Sequence, residues 1–395
     1  MIMENKVVRY GIIGLGNQGN GYARNLFGQG KIKEYAVLSA VCDTNPAKLE
    51  ALKNSDLDTT NIAFFSDYKE MLDSGLCDAV IVVTPHYQHP EMVIECLNRG
   101  IHAISEKPAG VYTKQVREMN EVAEKSDALF AMMFNQRTNC VYRKMREMIA
   151  EGAIGELQRV TWIITDWFRT QSYYDGGSWR ATWDGEGGGV LFNQCPHQLD
   201  LVQWVVGKLP KSVSAFCQYG KWHDIEVEDE VTAYFEYDNG ATGVFITTTG
   251  ETPGTNRFEV SGTGGKLLCE GNKLIYYKNA VDSAEHSRTC EQGFKRPEFE
   301  VIEVETDGEY LQHKGIINNL AAAILGKEPL FVNGTEGIAG VELMNAISLS
   351  GWKNGAKVTL PVDEDEYLAE LNIRRANSKR KVVSEEKITD TTGTY

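Results

Sequence analysis

The sequence predicts an α/β protein in two parts. An N-terminal doubly wound parallel sheet is followed by an α+β domain with a large, mostly antiparallel open sheet. Three observations predict this. Six short apolar runs alternate with helical patterns over the first third of the chain. The first run ends in a glycine-rich turn, and after about residue 155 the texture changes to long β-rich segments.

The six runs are "VRYGIIG" (8–14), "AVLSAVCD" (36–43), "IAFF" (62–65), "DAVIVVTP" (78–85), "IHAISEKP" (101–108) and "ALFAMMF" (128–134). Unbroken apolar strands separated by helices belong to a parallel sheet covered on both faces. One helix follows Gly16, another opens with Pro90 in its first turn and ends before Gly100, and a third starts after Thr113. This rhythm gives a doubly wound domain over residues 1–137. Residues 138–362 form the second domain. There "LQRVTWIITDWF", "VTAYFEYDNGATGVFITTTG" and "GGKLLCEGNKLIYYK" read as strands, with Asn239-Gly240 as a hairpin turn. Helices are expected near 190–206, 311–325 and 335–352, and residues 363–395 read as a polar C-terminal tail.

Composition narrows the partners. The 395 residues hold 55 acidic and 40 basic side chains, a formal net charge of −15. That balance argues against a nucleic-acid backbone or an anionic membrane surface. The basic run "RRANSKRK" (374–381) reads as a solvated tail or an oligomer contact. The eight cysteines show no CxxC pair and no zinc-like spacing, so reduced thiols and no metal site are expected. No segment reaches the ~18 apolar residues of a membrane span, and the N-terminus lacks a signal-peptide pattern. A soluble, cytoplasmic protein is expected.

Gly14, Gly16 and Gly19 form G-x-G-x-x-G between the first strand and the helix after it, and Asp43 closes the second strand. This is the context a Rossmann dinucleotide site requires. The first glycine permits the tight turn, the second lets backbone approach a pyrophosphate, and the third lets helix and strand pack closely. Asp43 would accept the ribose hydroxyls and repel a 2′-phosphate, favouring NAD over NADP. The segments "VTPHYQHP" and "SEKP" end the fourth and fifth strands, on the sheet edge where such folds bind ligands. Lys107 is therefore a candidate for active-site work.

The stretch "GEGGGVLFNQCPHQLDLVQWVVG" (185–207) sets Asn193, His197 and Asp200 at i, i+4 and i+7, one face of a helix. Its glycine run is expected to let backbone approach the cofactor. Pro196 either kinks that helix or restarts it. A restart puts His197 near a positive helix end, which favours the neutral imidazole that a proton acceptor needs.

Several motifs occur in one order: GxGxxG, Asp43, "TPHYQH", "EKP", "NQR" (135–137), "GAIGELQRV" (152–160), "GGG…NQCPHQLD", "FEVSGTGGKL" (258–267) and the closing "VNGTEGIAGVELMNAISLSGWKNGAKVTLP". In this order the chain resembles the glucose–fructose oxidoreductase and inositol dehydrogenase (Gfo/Idh/MocA) family over about residues 6–361. The resemblance implies a nicotinamide-dependent sugar or polyol oxidoreductase that forms dimers or tetramers through its open sheet. The family's catalytic lysine falls on Lys107, its histidine on His197 and its last acid on Asp200. Cofactor contacts are implied for Gly14, Gly16, Asn17, Gln18, Gly19 and Asp43, for Thr84, Pro85, His86 and His89, and for Glu106, Lys107, Asn135, Trp179 and Arg180. Substrate contacts are implied for Lys107, Arg169, Asn193 and His197. Two positions depart from the pattern: Asn193 replaces the family's common Asp, which leaves the general base open, and His86 replaces an Asn.

The chemistry expected is removal of a hydroxyl proton by His197 while hydride leaves the adjacent carbon for NAD⁺, with Lys107 bonded to the developing alkoxide. Residues 162–185 hold Trp162, Trp167, Phe168, Tyr173, Tyr174, Trp179 and Trp183, a set suited to core packing and to stacking on a sugar face. No Lys/Arg cluster marks a phosphate pocket along the chain, so a neutral sugar or glycoside is expected. The "GGGVLFNQCPHQLDL" segment resembles members that oxidise glycosides on the ring, with C3 the expected carbon. Two other readings stay open: a glycoside hydrolase or lyase using NAD transiently, and a non-catalytic nucleotide-binding protein.

Overall fold

A computed structural model describes residues 7–379. The first domain is a six-stranded parallel sheet in the order β3-β2-β1-β4-β5-β6. Its strands are β1 (Val8–Ile13), β2 (Ala36–Cys42), β3 (Ala63–Phe65), β4 (Ala79–Val82), β5 (His102–Ser105) and β6 (Phe130–Met132). Strand order reverses between β1 and β4, so a crevice opens beyond their carboxyl ends. Every side chain of β4 is buried, because helices cover both faces.

Those helices are α1 (Asn17–Gly21), α2 (Pro46–Lys53), α3 (Tyr68–Asp73), α4 (His89–Asn98) and α5 (Thr113–Ala123). Helix α1 runs on as a wider π-type turn through Tyr22–Gly28. Asn45 and Asp67 cap α2 and α3 by accepting the backbone N–H of Ala47 and Lys69. Helix α6 (Cys140–Ala150), capped by Asn139, leads into the second domain.

The second sheet has nine strands in the order β14-β13-β12-β11-β7-β10-β9-β8-β15. They are β7 (Leu157–Ile164), β8 (Ser212–Tyr219), β9 (Glu228–Glu236), β10 (Thr242–Thr248), β11 (Asn256–Gly262), β12 (Gly265–Glu270), β13 (Lys273–Asn279), β14 (Phe299–Glu303) and β15 (Val358–Thr359). All pairings are antiparallel except β7 with β10. One face is buried, as Val231, Ala233 and Phe235 of β9 show, while Phe216 and Tyr234 stand exposed on the other. The remaining helices are α7 (Gln171–Tyr174), α8 (Pro196–Val206), α9 (Ser283–Thr289), α10 (Gln312–Ile324), α11 (Gly337–Trp352) and α12 (Glu364–Ala376). Helix α11, apolar on nearly every side, fills the space between β8, α8 and α5. None of these helices is long and apolar enough to cross a membrane, among the described residues.

The chain crosses back to the first domain. Tyr10 Oη donates to the carbonyl of Ile317 in α10 at 2.8 Å, and Asn345 of α11 bonds the backbone of Val111 and Thr113. The C-terminal segment also differs from the tail read in the sequence. Helix α12 is capped by Asp363 and buries Tyr367 and Leu371. Its basic end is engaged rather than solvated: Arg375 pairs with Asp184 and lies over the Tyr87 ring, and Arg374 lies over Trp352. The last two residues of the basic run, 380 and 381, and the residues after them lie outside the described residues.

Candidate active site

A cavity of about 1030 Å³ opens where the carboxyl ends of the first sheet meet residues 167–197 of the second domain. Its nucleotide end is built by the three glycines, each for its own reason. Gly14 has φ +98°, and a Cβ there would lie 2.4 Å from the Val83 carbonyl oxygen; one at Gly19 would lie 1.9 Å from the Gly14 oxygen. A Cβ at Gly16 would meet nothing within 4 Å. Backbone therefore demands glycine at 14 and 19, whereas Gly16 keeps an open space at the start of α1, where backbone N–H groups face a phosphate. Asp43 is held at this end, accepting Leu15 N at 2.7 Å and Asn45 N at 2.9 Å. Asn17, Gln18, Thr84, Pro85 and His86 line the same cavity. This donor set fits a dinucleotide.

The other end joins both domains. Lys107, at the end of β5, donates from Nζ to the Asn193 carbonyl at 2.8 Å. Burial lowers its pKa, and the nearby Glu106 and Glu186 carboxylates oppose that shift. Glu106 lines the cavity, accepts from Tyr22 Oη and is pushed up by burial. His197 enters in the first turn of α8, of which Pro196 is the first residue, so the helix restarts. Its Nδ1 has no hydrogen-bond partner among the described residues, and burial, then Lys107 and His313, holds it well below the ordinary histidine value. It is neutral at physiological pH.

Restarting at Pro196 removes Asn193 from the helix and dissolves the shared Asn-His-Asp face. Asn193 still reaches the cavity: its Nδ2 donates to Glu186, and its Oδ1 accepts from Tyr173 Oη at 3.0 Å. Asp200 does not line the cavity. It is 1 % exposed and bonds Arg137 Nε and Nη2 at 2.8 and 2.6 Å, a buried pair that ties α8 to the end of β6. Its carboxylate is committed to Arg137 rather than to the His197 ring.

Three other expectations also meet a different geometry. His89 sets its ring nitrogens 2.8 Å from the Pro108 carbonyl and 2.7 Å from that of Thr84, linking the loops after β4 and β5 outside the cavity. Asn135 is fully buried away from the cavity wall, and neither polar atom of its amide has a partner among the described residues. The glycine run packs against protein: added Cβ atoms would strike Val111 at Gly187, Phe192 at Gly188 and the Glu228 oxygen at Gly189. Close packing of this loop, not approach to a cofactor, requires those glycines. Trp179, Arg180 and Arg169 do line the cavity with Trp167, Phe168 and Tyr173, while Trp162, Tyr174 and Trp183 are core.

Two stretches match known families by sequence. Residues 8–134 match an oxidoreductase family described as an NAD-binding Rossmann fold, and residues 142–268 match the GFO/IDH/MocA C-terminal domain. This chain belongs to the Gfo/Idh/MocA oxidoreductases. Its cofactor is NAD. Among similar proteins, myo-inositol 2-dehydrogenase of Thermotoga maritima is 26% identical over 270 residues, 67% of this chain and 75% of that protein. D-glucoside 3-dehydrogenase of Escherichia coli is 28% identical over 51% of this chain and 60% of that one. The WlbA dehydrogenase from Bordetella pertussis, solved in complex with NADH and UDP-GlcNAcA, is 25% identical. It superposes with a TM-score of 0.74, covering 91% of this chain and 100% of that one.

Sequence reading of this oxidoreductase missed Glu186 and His313. Glu186, inside the glycine run, is 2 % exposed; its carboxylate accepts Ala181 N and Asn193 Nδ2, and burial pushes it up. An acid enclosed by glycines was the available signal. His313 begins α10 beside Gln18, and burial lowers it to about 4. Nothing in "YLQHKG" marks it, since only the chain's return to the first domain brings it to the cavity.

Proposed function

We propose that this oxidoreductase moves a hydride between the carbon of a secondary sugar or glycoside hydroxyl and NAD, with C3 of a glucoside as the expected position. The observation that carries the reading is that Lys107, from the first domain, and His197, from the second, line one cavity that continues to the Gly16 cradle. Bound NAD supplies the hydride acceptor. The neutral imidazole of His197 takes the hydroxyl proton. Lys107, anchored to the Asn193 carbonyl, donates to the oxygen as negative charge grows on it. Asn193 is fixed on both sides of its amide by Glu186 and Tyr173, so the carbonyl that holds Lys107 cannot drift. The aromatic wall of Trp167, Phe168, Tyr173 and Trp179 suits a sugar face.

Initial-rate NADH formation with a broad panel of sugars and glycosides tests this. Net NADH supports the dehydrogenase reading. Aglycone release without net NADH would replace it with transient oxidation, and bound NAD without turnover on any compound would replace it with a non-catalytic role.

A homo-oligomer is proposed as the working state. Phe216 and Tyr234 sit 63 % and 41 % exposed on the uncovered sheet face, which suits a self-complementary contact. Sedimentation of Phe216→Asp at a lower mass than the parent chain is the expected result.

A further inference from the structure

We infer that the sugar taken by this site carries an oxyanion, a carboxylate or a phosphate, received by Arg169 and Arg180. The inference rests on the dehydrogenase reading above and adds the substrate's charge class to it. It also reverses the neutral-sugar expectation, which followed from the absence of a basic cluster along the sequence; folding builds one.

The two arginines flank one ring. Their guanidinium carbons lie 5.3 Å (Arg169) and 4.5 Å (Arg180) from the Tyr173 centroid, and each also lies over a tryptophan, Trp167 and Trp179 respectively. Tyr173 in turn bonds Asn193, whose carbonyl holds Lys107. Two guanidinium groups and the Lys107 amine thus surround a single tyrosine–asparagine pair, and all three line the cavity.

Most other arginines among the described residues pair with acids, as Arg137 does with Asp200, Arg99 with Asp73, Arg143 with Asp307 and Arg117 with Glu364, although Arg146 donates to the Trp204 carbonyl instead. Arg169 instead spends Nη1 on the backbone oxygens of Trp167 and Phe168, and its Nε is buried without a partner among the described residues. Arg180 gives Nη1 to the Tyr173 hydroxyl at 2.7 Å. Neither has a carboxylate within ion-pair distance among the described residues, so most of their N–H donors remain for an incoming acceptor. Of the acids near this end, Glu106 lines the cavity while Glu186 and Asp166 stand behind its wall, and burial raises the pKa of all three against the pull of the nearby cations. A guanidinium presents a planar fork of donors that matches a carboxylate or phosphate edge, and aromatic stacking holds that fork in place at little further entropic cost. The one rival anion is the cofactor's pyrophosphate, which the Gly14–Gly19 turn already receives from the first domain.

The test uses the full chain with NAD and matched substrates: methyl hexosides, the corresponding methyl hexuronides and hexose 6-phosphates in the common stereochemistries. One anionic series should be oxidised with kcat/KM at least about 30-fold above its neutral match, the size expected for a charge-assisted pair in a partly enclosed site. The ratio should fall with added salt. Arg169→Gln and Arg180→Gln should each narrow it, with the Kd for NAD, read by tryptophan quenching, moving less than about 3-fold. Neutral hexosides oxidised as well as or better than their anionic matches overturn the inference and leave the dehydrogenase reading standing. A Kd for NAD raised about 10-fold or more with the ratio unchanged gives the arginines to the cofactor and overturns it too. No oxidation in any series, with NAD bound, rejects the dehydrogenase reading itself. The wild-type ratio decides the charge question even if a variant fails to fold.

Discussion

Removing Asp200 should unfold this protein more than it slows it. In the Asp200→Ala variant the Arg137 guanidinium, 1 % exposed, loses the bidentate partner that takes two of its donors. Only Glu336, itself 44 % exposed, remains within reach, together with the Phe134 and Trp204 rings at 4.9 and 5.2 Å. Removing one partner of a buried ion pair in this way costs about 3–5 kcal/mol. The same change in a catalytic acid would leave stability almost untouched. Urea unfolding followed by circular dichroism reads the cost, and NADH formation at saturating NAD reads the residual turnover of folded protein. The double change Arg137→Met/Asp200→Leu should regain most of the loss, because replacing both partners with apolar groups removes the unpaired charge. If Asp200→Ala costs under about 1 kcal/mol yet abolishes turnover, the assignment of this acid to an architectural pair is wrong.

Further outcomes follow from the same geometry. Gly16→Val should keep stability within about 1 kcal/mol while weakening NAD binding about 100-fold or more, since the added carbon meets only the space at the phosphate cradle; Gly19→Ala should weaken both, because its Cβ would lie 1.9 Å from a backbone oxygen. Isothermal titration with NAD and thermal melts distinguish the two. Glu228, buried and accepting from Gly189 and Leu191, is pushed up to about 7 by burial. Its folded-state pKa lies above the unfolded one, so the stability it lends is full below about pH 4.5 and is lost as pH rises through 7. Glu228→Gln should therefore flatten the fall in melting temperature between pH 5 and 8. His197 is held well below the ordinary histidine value, so the neutral base persists on acidification. The pH profile of sugar oxidation should show no loss attributable to it until well under pH 6.5.

Much of the first domain was legible because its signals are local. Unbroken apolar runs, a glycine turn and a strand-end acid all act within a few residues of where they stand. The second sheet was readable from alternation and the Asn-Gly turn. What escaped depends on long-range closure. Asp200 looked like a cleft residue because helical spacing put it on one face with His197, but its partner, Arg137, lies 63 residues away in sequence. Asn193 looked helical until Pro196 began the helix. The polar segment after 363 concealed a helix whose Tyr367 stacks on Trp352 at 5.1 Å. Arg169 and Arg180 appeared as scattered charges, and only the turn around Tyr173 sets them together. Chemistry assigned by motif order, Lys107 and His197, fell on one cavity because both sit at element ends, where a fixed strand or helix aims the side chain.

The most direct test compares Lys107→Met and His197→Phe with the parent enzyme in two measurements, turnover on the best sugar and affinity for NAD. Each variant should lose about 100-fold or more in kcat while NAD affinity stays within about 3-fold. Near-parental turnover in either variant, or a collapse of NAD affinity that accounts for the loss, would contradict a shared role for these two side chains at one hydroxyl.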